Sequence, residues 1–169
     1  INGVDFFKAV RMLIPPARHN VAHMPAKLRS FYEYTSAAWE PWDGPAAITL
    51  TNGRYVGCIL DRNGLRPAKY VVTSDDRLLL TSEYGVLGVP PELVSERGRL
   101  QSGEMIAADL QTGKIFNSDD IDRYLMESQP YNEWLTGRTW YLMEFIEHQF
   151  DDLSDYSVTG LERLQRYHN

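Results

Sequence analysis

Cysteine is nearly absent. The 169-residue chain carries one, Cys58, so it can form no internal disulfide. Nor can it build a zinc or iron–sulfur site by itself, since such sites take several thiolate or imidazole ligands. A reducing compartment suits such a chain. Long hydrophobic runs are absent too. The longest, around Leu78-Leu79-Leu80, is strand-sized, far short of the ~20 residues of a membrane span. Basic residues are outnumbered, 17 against 23 acidic, for a formal net charge of −6. That argues against sequence-independent nucleic-acid binding, which needs a basic footprint. A small local patch remains at Arg62, Arg66 and Lys69. No basic segment precedes an apolar stretch between Ile1 and Ile14, so no secretory signal is expected. The lack of an initiator Met suggests a processed product or a piece of a longer protein.

What is present is ordinary for a globular protein: 43% hydrophobic and 24% charged residues. The length fits one domain and buries roughly 70% of the unfolded surface. Disordered, collagen-like and coiled-coil classes are excluded. Val4 to Ile14 has helical apolar spacing and is stopped by Pro15-Pro16. A polar link with His19, Asn20 and His23 leads to a second helical stretch, Pro25 to Trp39, closed by Pro41. From Pro45 the pattern becomes strand-like. Ala46–Leu50 and Tyr55–Leu60 flank Thr51-Asn52-Gly53, where an Asn-Gly turn with positive φ at both residues predicts a hairpin. Lys69–Thr73 pairs with Leu78–Ser82, and Met105–Leu110 with Lys114–Phe116, giving at least six mostly antiparallel strands. Ser118 is the expected cap of a later helix carrying Ile121, Tyr124 and Leu125. Tyr131–Phe150 is rich in aromatics, including Trp134, Trp140, Tyr141 and Phe145, and Asp151–Asn169 is polar. Helices, then sheet, then helices make an α+β protein.

The stretch richest in chemistry is Asp61-Arg62-Asn63-Gly64-Leu65-Arg66-Pro67, between two strands. Its Asn-Gly turn can aim backbone N–H groups at an anion, and Arg62 and Arg66 can add bidentate contacts. The competing reading is a structural turn in which Asp61 pairs an arginine. Trp42-Asp43-Gly44-Pro45 either shapes a pocket wall or turns a helix into a strand. Ser82-Glu83 closes a strand, with Glu83 orienting a reacting group or pairing an arginine. Cys58 lies in the apolar run Val56–Leu60 and reads as a buried, inert thiol. His19 and His23 have i, i+4 spacing but no neighbouring carboxylate, and Asp151, Asp152 and Asp155 lack calcium-loop spacing. No catalytic, substrate-binding or metal-ligating set is assigned from the residues alone.

Taken in order, these stretches resemble the glutamine amidotransferase domain of the glutamate synthase large subunit. The matching segments are Phe31-Tyr32-Glu33-Tyr34, Glu40 to Ala46, Leu60 to Pro67, Ser82-Glu83 with Gly85-Val86-Leu87, Gly98-Arg99-Leu100 with Gly103, and Pro130-Tyr131 with Trp134-Leu135. They span residues 1 to about 135. A looser pattern recurs in other class II amidotransferases. The resemblance implies an N-terminal-nucleophile (Ntn) hydrolase, a four-layer αββα sandwich of antiparallel sheets between helices. On this basis residues 1–129 form the C-terminal portion of the amidotransferase domain, and 130–169 a helical or irregular connector.

The resemblance also implies a reaction: glutamine is hydrolysed to glutamate and ammonia, which is channelled to aminate 2-oxoglutarate. In the family an N-terminal cysteine is the nucleophile, its α-amino group the base, and an Asn-Gly pair the oxyanion hole. Those positions precede the segment that Ile1 begins. Asn63-Gly64 belongs to a later motif, and Asn52-Gly53 is a hairpin turn. The matched residues Trp42, Asp43, Gly44, Asp61, Arg62, Asn63, Gly64, Arg66, Pro67, Ser82 and Glu83 are therefore expected to be structural or to wall a pocket. The family usually has a small residue at Cys58, in keeping with a structural thiol. FMN and an iron–sulfur cluster are implied elsewhere in the parent enzyme, and none in this chain. The implied partners are the remaining half of the amidotransferase domain and the synthase domains, with a homo-oligomer as one form of assembly. Nucleic acid and membrane are not among them. The implied compartment is the cytoplasm, or the plastid stroma for a plant-type parent. A chain of this kind is expected to be inactive alone. The alternative is a catalytically silent Ntn-like scaffold that binds an anion or a partner.

Overall fold

The computed structural model describes residues 3–16 and 24–138. The chain divides into two compact units, residues 1–133 and 134–169. Within the described residues, the first unit holds nearly all of the structure.

Helix α1 (Phe6–Leu13) begins where the Asp5 carboxylate accepts the N–H groups of Phe7 and Lys8, at 3.0 and 3.3 Å. That satisfies two of the donors a helix start leaves unpaired. It buries Phe6, Phe7 and Val10, and also Arg11. Helix α2 (Ala26–Ser36) follows Pro25 and buries Leu28, Phe31 and Thr35. It stops short of the expected Trp39. The Thr35 hydroxyl donates back to the Phe31 carbonyl at 2.9 Å, and Pro41 lies just ahead.

Among the described residues seven strands form two antiparallel sheets. The first has the order β1 (Ala47–Thr51), β2 (Tyr55–Leu60), β6 (Met105–Asp109) and β7 (Ile115–Phe116). The second places β3 (Lys69–Thr73) between β4 (Leu78–Thr81) and β5 (Val94–Arg99). The three expected hairpins are present. Strand β5 is not expected from the sequence, because Val-Ser-Glu-Arg-Gly-Arg offers no apolar alternation and most of its side chains are exposed. Its place is set by pairing, Lys69 opposite Arg99 through Val72 opposite Glu96. The first hairpin turns differently from expectation. Thr51 faces Val56, and Asn52 donates its N–H to the Tyr55 carbonyl. The reversal therefore runs through Gly53, at φ 92°, and Arg54 rather than through Asn52 and Gly53. The Asn52 side chain instead accepts the N–H groups of Arg54 and Tyr55.

The cap of helix α3 (Ser118–Ser128) is also shifted by one. Asn117, not Ser118, caps it, in a reciprocal box with Asp120. The Ser118 hydroxyl instead takes the N–H of Met105 at 2.7 Å and donates to its carbonyl, tying α3 to β6. A short helix α4 (Tyr131–Leu135) follows. The expected aromatic helix beyond it, with Trp140, Tyr141 and Phe145, lies outside the described residues, as do His19, His23 and the Asp151–Asp155 cluster.

Alternation along the strands sorts the core into layers. Cys58, Leu60 and Ile106 point to the second sheet, where they pack with Ala68, Leu100, Tyr70, Leu78 and Leu80. On the opposite face, Tyr55 and Phe116 meet Phe7 of α1, with ring centroids 5.0 and 5.2 Å from it. Phe7 also meets Tyr124 of α3 at 5.5 Å. Helices, four-stranded sheet and three-stranded sheet are thus stacked in the α+β arrangement expected, as α, β and β layers of the sandwich. Near the second sheet, the loop residues Val86 and Leu87 are exposed.

Candidate functional site

Strand β2 delivers Asp61 to the end of the first sheet, where it is 2% exposed. Its carboxylate accepts the N–H of Ala46, just before β1, at 3.1 Å, and that of Asn63 at 2.8 Å. Its own N–H donates to the Ala46 carbonyl, and its carbonyl accepts from Gly64 and Gly103 at 3.1 and 3.0 Å. One buried residue therefore joins β1, the 61–67 loop and the turn before β6. Among the described residues Asp61 pairs no arginine, and backbone N–H groups take the place of the expected partner. Nor does the Asn63-Gly64 turn offer its N–H groups to a bound anion. Asp61 already takes both, and a bond to its carboxylate is of the strong, charge-assisted kind.

Gly64 has φ 62°, and a Cβ there would lie 2.8 Å from Ser102 Cα. The Ser102 hydroxyl donates to the Arg62 carbonyl, so the loop and the turn are clamped at two points. The turn is held from the helical side as well, where Arg11 Nη1 donates to the Gly103 carbonyl at 2.6 Å.

Arg62 turns outward and pairs with Asp43 at 2.6 Å, both side chains being well exposed. An exposed pair of this kind contributes little stability and fixes orientation instead. Trp42 docks its backbone N–H on the Leu13 carbonyl at the end of α1, at 2.7 Å. Its indole N–H reaches the Gly44 carbonyl at 3.2 Å. Gly44 itself has φ 125°. Arg66 and Pro67 are exposed, and Arg66 makes no ion pair among the described residues. Ser82 and Glu83, just beyond the end of β4, are exposed. The expected arginine partner of Glu83 is not found among the described residues; its carbonyl accepts the Thr81 hydroxyl at 2.6 Å.

Trp42 and Arg62 do share a wall. With Arg29, Tyr32, Trp39 and Met24, among others, they line a cavity of about 550 Å³ beside α2. Of the Trp-Asp-Gly-Pro segment only Trp42 lines this cavity, and Asp43 is tied to its wall through the pair with Arg62. Ser82 and Glu83 are not part of it. Sequence reasoning misses Arg29 and Trp39, and finds Tyr32 only as part of a packing face. The available signal is the i, i+3 spacing of Arg29 and Tyr32 on one helix. It also misses Arg11, a charged residue in an apolar register, which is buried and pairs with Asp122 at 3.2 Å.

Electrostatics follow burial. The Tyr32 phenol is pushed well up by burial, against the opposing pull of the Arg11 cation. Burial also raises Asp122. Cys58 is raised by burial, only partly offset by its hydrogen bond with the Thr49 side chain. A thiol buried in this way is a poor nucleophile. Among the described residues no three His, Cys, Asp or Glu side chains gather as metal ligands, and no helix is long and apolar enough to cross a membrane.

Comparison with known proteins agrees with this arrangement. The chain is 46% identical over 124 residues to the glutamate synthase [NADPH] large chain of Bacillus subtilis, covering 73% of this chain and 8% of that protein. It is 40% identical over 137 residues to the glutamate synthase [NADH] of Saccharomyces cerevisiae, covering 80% and 6%. It is 41% identical over 160 residues to the ferredoxin-dependent glutamate synthase of Pyropia yezoensis, covering 94% and 10%. The chain thus spans no more than 10% of the length of these curated relatives. The family model for class-II glutamine amidotransferases matches residues 1–134, and with its antiparallel sheets packed beneath helices the chain belongs to that family.

Proposed function

We propose that this chain is the C-terminal part of the amidotransferase domain of a glutamate synthase. The domain hydrolyses glutamine, and the ammonia released aminates 2-oxoglutarate elsewhere in the same enzyme. The carrying observation is Cys58. It is the one thiol, it is 3% exposed, it points between the two sheets, and burial holds its pKa up. The nucleophilic thiolate that such a glutaminase needs is therefore supplied from outside these 169 residues.

This chain's residues have a supporting role in that reaction. Asp61, Gly64 and Ser102 fix the loop that carries Arg62, and Trp42 with Arg62 forms one wall beside α2. The partners are the segment bearing the nucleophile and the synthase domains. A single cysteine is too few for an iron–sulfur cluster, so this reading puts the cluster and FMN in other segments. It puts residues 130–169 in the connector, and the enzyme in the cytoplasm or plastid stroma.

The test is covalent labelling of the intact protein with a glutamine-like diazoketone, followed by peptide mass spectrometry and a glutamate-release assay. The adduct is expected on a cysteine outside this chain. Cys58→Ala is expected to keep glutamine hydrolysis within about twofold, since it removes no reacting group. An adduct on Cys58, or glutamate release by the 169-residue chain alone, would overturn the reading.

A further inference from the structure

Among the described residues the two sheets have four outer strands, and three of them are blunted. Strand β7 is two residues long. Strand β5 carries Glu96, Arg97 and Arg99, and its register against β3 shifts between Val72 and Thr73. Strand β4 has four residues, set between the charges of Arg77 and Glu83. Shortness, charge and irregularity are the usual means by which a sheet discourages pairing with a further strand. Strand β1 has none of them. Its five residues, Ala-Ile-Thr-Leu-Thr, hold no charge and no proline, and its register with β2 is unbroken.

That register fixes which backbone groups are free. In an antiparallel pair, alternate residues direct both N–H and C=O at the partner strand. The Asp61 N–H donates to the Ala46 carbonyl, and the Asn52 N–H to the Tyr55 carbonyl. Both pairs continue the ladder in which Ile48 lies opposite Ile59 and Leu50 opposite Gly57. The even-numbered residues therefore face β2. Ala47, Thr49 and Thr51 turn their N–H and C=O groups outward, and among the described residues no strand pairs with them. Such a row of donors and acceptors is a template for another strand.

The side chains end as openly as the backbone. On the face between the sheets Ala47, Thr49 and Thr51 are exposed, while their β2 neighbours Cys58 and Leu60 are buried. On the helical face Ile48 and Leu50 are only half-buried, although Ile59 opposite Ile48 is fully buried. Both packed layers thus stop one strand short of covering β1, where side chains of an added strand make cross-strand contacts.

We infer that β1 receives an additional strand from the parent polypeptide, outside these 169 residues. The strand is uncharged, with apolar side chains where it meets Ile48 and Leu50, and it turns β1 from an outer into an inner strand. The inference rests on the reading that this chain is part of a larger enzyme. There is ample chain to supply the strand, since this one spans no more than 10% of the length of its relatives.

Amide hydrogen exchange of the intact parent protein, resolved to single residues by fragmentation mass spectrometry, tests it. Ile48 and Leu50, bonded to β2, are the internal references. Thr49 and Thr51 are expected to exchange as slowly as these, within about tenfold, whereas an outer strand open to water leaves them on the order of 10²-fold faster. Photo-crosslinking from Ala47→benzoylphenylalanine identifies the neighbour, and Thr51→benzoylphenylalanine repeats the test at the other end of β1. The cross-link is expected on a peptide outside the 169 residues. Fast exchange at Thr49 and Thr51 would overturn the inference. So would a cross-link within these residues or to β1 of a second copy. Glutamate release, assayed separately, reports on the glutaminase reading, and neither result depends on the other.

Discussion

Gly64 and Ser102 touch backbone to backbone: a Cβ on Gly64 would lie 2.8 Å from Ser102 Cα and 3.1 Å from its nitrogen. No rotamer change relieves such a contact, because nothing in it is the end of a flexible side chain. The loop that leaves β2 and the turn that enters β6 are therefore set against each other by the absence of one methyl group. Asp61 closes the same junction by bonding to both segments.

Substitution at Gly64 separates this contact from simple backbone strain. Gly113 has a similar φ, 71° against 62°, and a Cβ added there would meet nothing within 4 Å. Left-handed backbone costs an L-residue roughly 1–2 kcal/mol. Gly113→Ala is expected to lose about 1 kcal/mol and Gly64→Ala at least about twice that, since the neighbouring backbone must also move. Urea unfolding midpoints measure both. Equal losses would mean that the contact carries no energy.

Gly98 makes room for a ring. A Cβ there would sit 2.5 Å from Tyr70 Cζ, on the strand opposite. Tyr70 packs on the inter-sheet core, and its hydroxyl donates to Glu96 at 2.8 Å. Gly98→Ala is expected to cost about 1–3 kcal/mol, the range for overpacking. Most of that cost should vanish in a Tyr70→Ala background. A double-mutant cycle with coupling below about 0.5 kcal/mol would contradict the packing described.

Asp109 supplies an acid-sensitive element. Arg54 donates to its carboxylate through Nη2 at 2.8 Å and Nε at 3.2 Å, and the Gln111 N–H adds a bond at 2.9 Å. The Arg54 hydrogen bond is the main cause holding its pKa at about 2, below the usual 3.8. A folded-state pKa lowered in this way stabilises the fold above the unfolded value, and the effect is lost as pH falls through the folded value. Unfolding midpoints should therefore drop between about pH 4 and pH 2, and Asp109→Asn should flatten that drop. Asp122, raised by burial, shifts the curve the other way. The comparison with Asp109→Asn isolates one carboxylate from the other, and an unchanged acid limb in that variant would refute the assignment.

Cys58 should resist modification. Buried between sheets with a raised pKa, it is expected to react with an aromatic disulfide at pH 8 on the order of 10²-fold more slowly in the native state than in urea. Comparable rates in both states would show that the thiol is accessible. That result would reopen a chemical role for it.

Much of this protein is legible in its residues because the signals are local. Short apolar runs at Tyr55–Leu60 and Met105–Asp109, proline at 15, 16, 25 and 41, and glycine at the hairpin turns fix strands, helices and reversals through neighbours in sequence. Charge and cysteine count bound the function classes in the same way. The spelling of Asp61 to Pro67 and Glu40 to Ala46 locates the family.

Tertiary structure decided whatever depends on partners distant in sequence. Val94–Arg99 is a strand because β3 offers it hydrogen bonds, not because its side chains alternate. Ser118 leaves the cap to Asn117, and its hydroxyl meets the backbone of Met105 across a layer. The neighbours of Asp61 in sequence suggest an arginine partner, yet folding surrounds it with backbone N–H groups from two segments and turns Arg62 toward Asp43. The cavity beside α2 exists only once α1, α2, the 41–45 segment and the 61–67 loop converge. No pattern along the chain encodes an orphaned donor such as Tyr32, because satisfaction of a polar group is a property of the space around it.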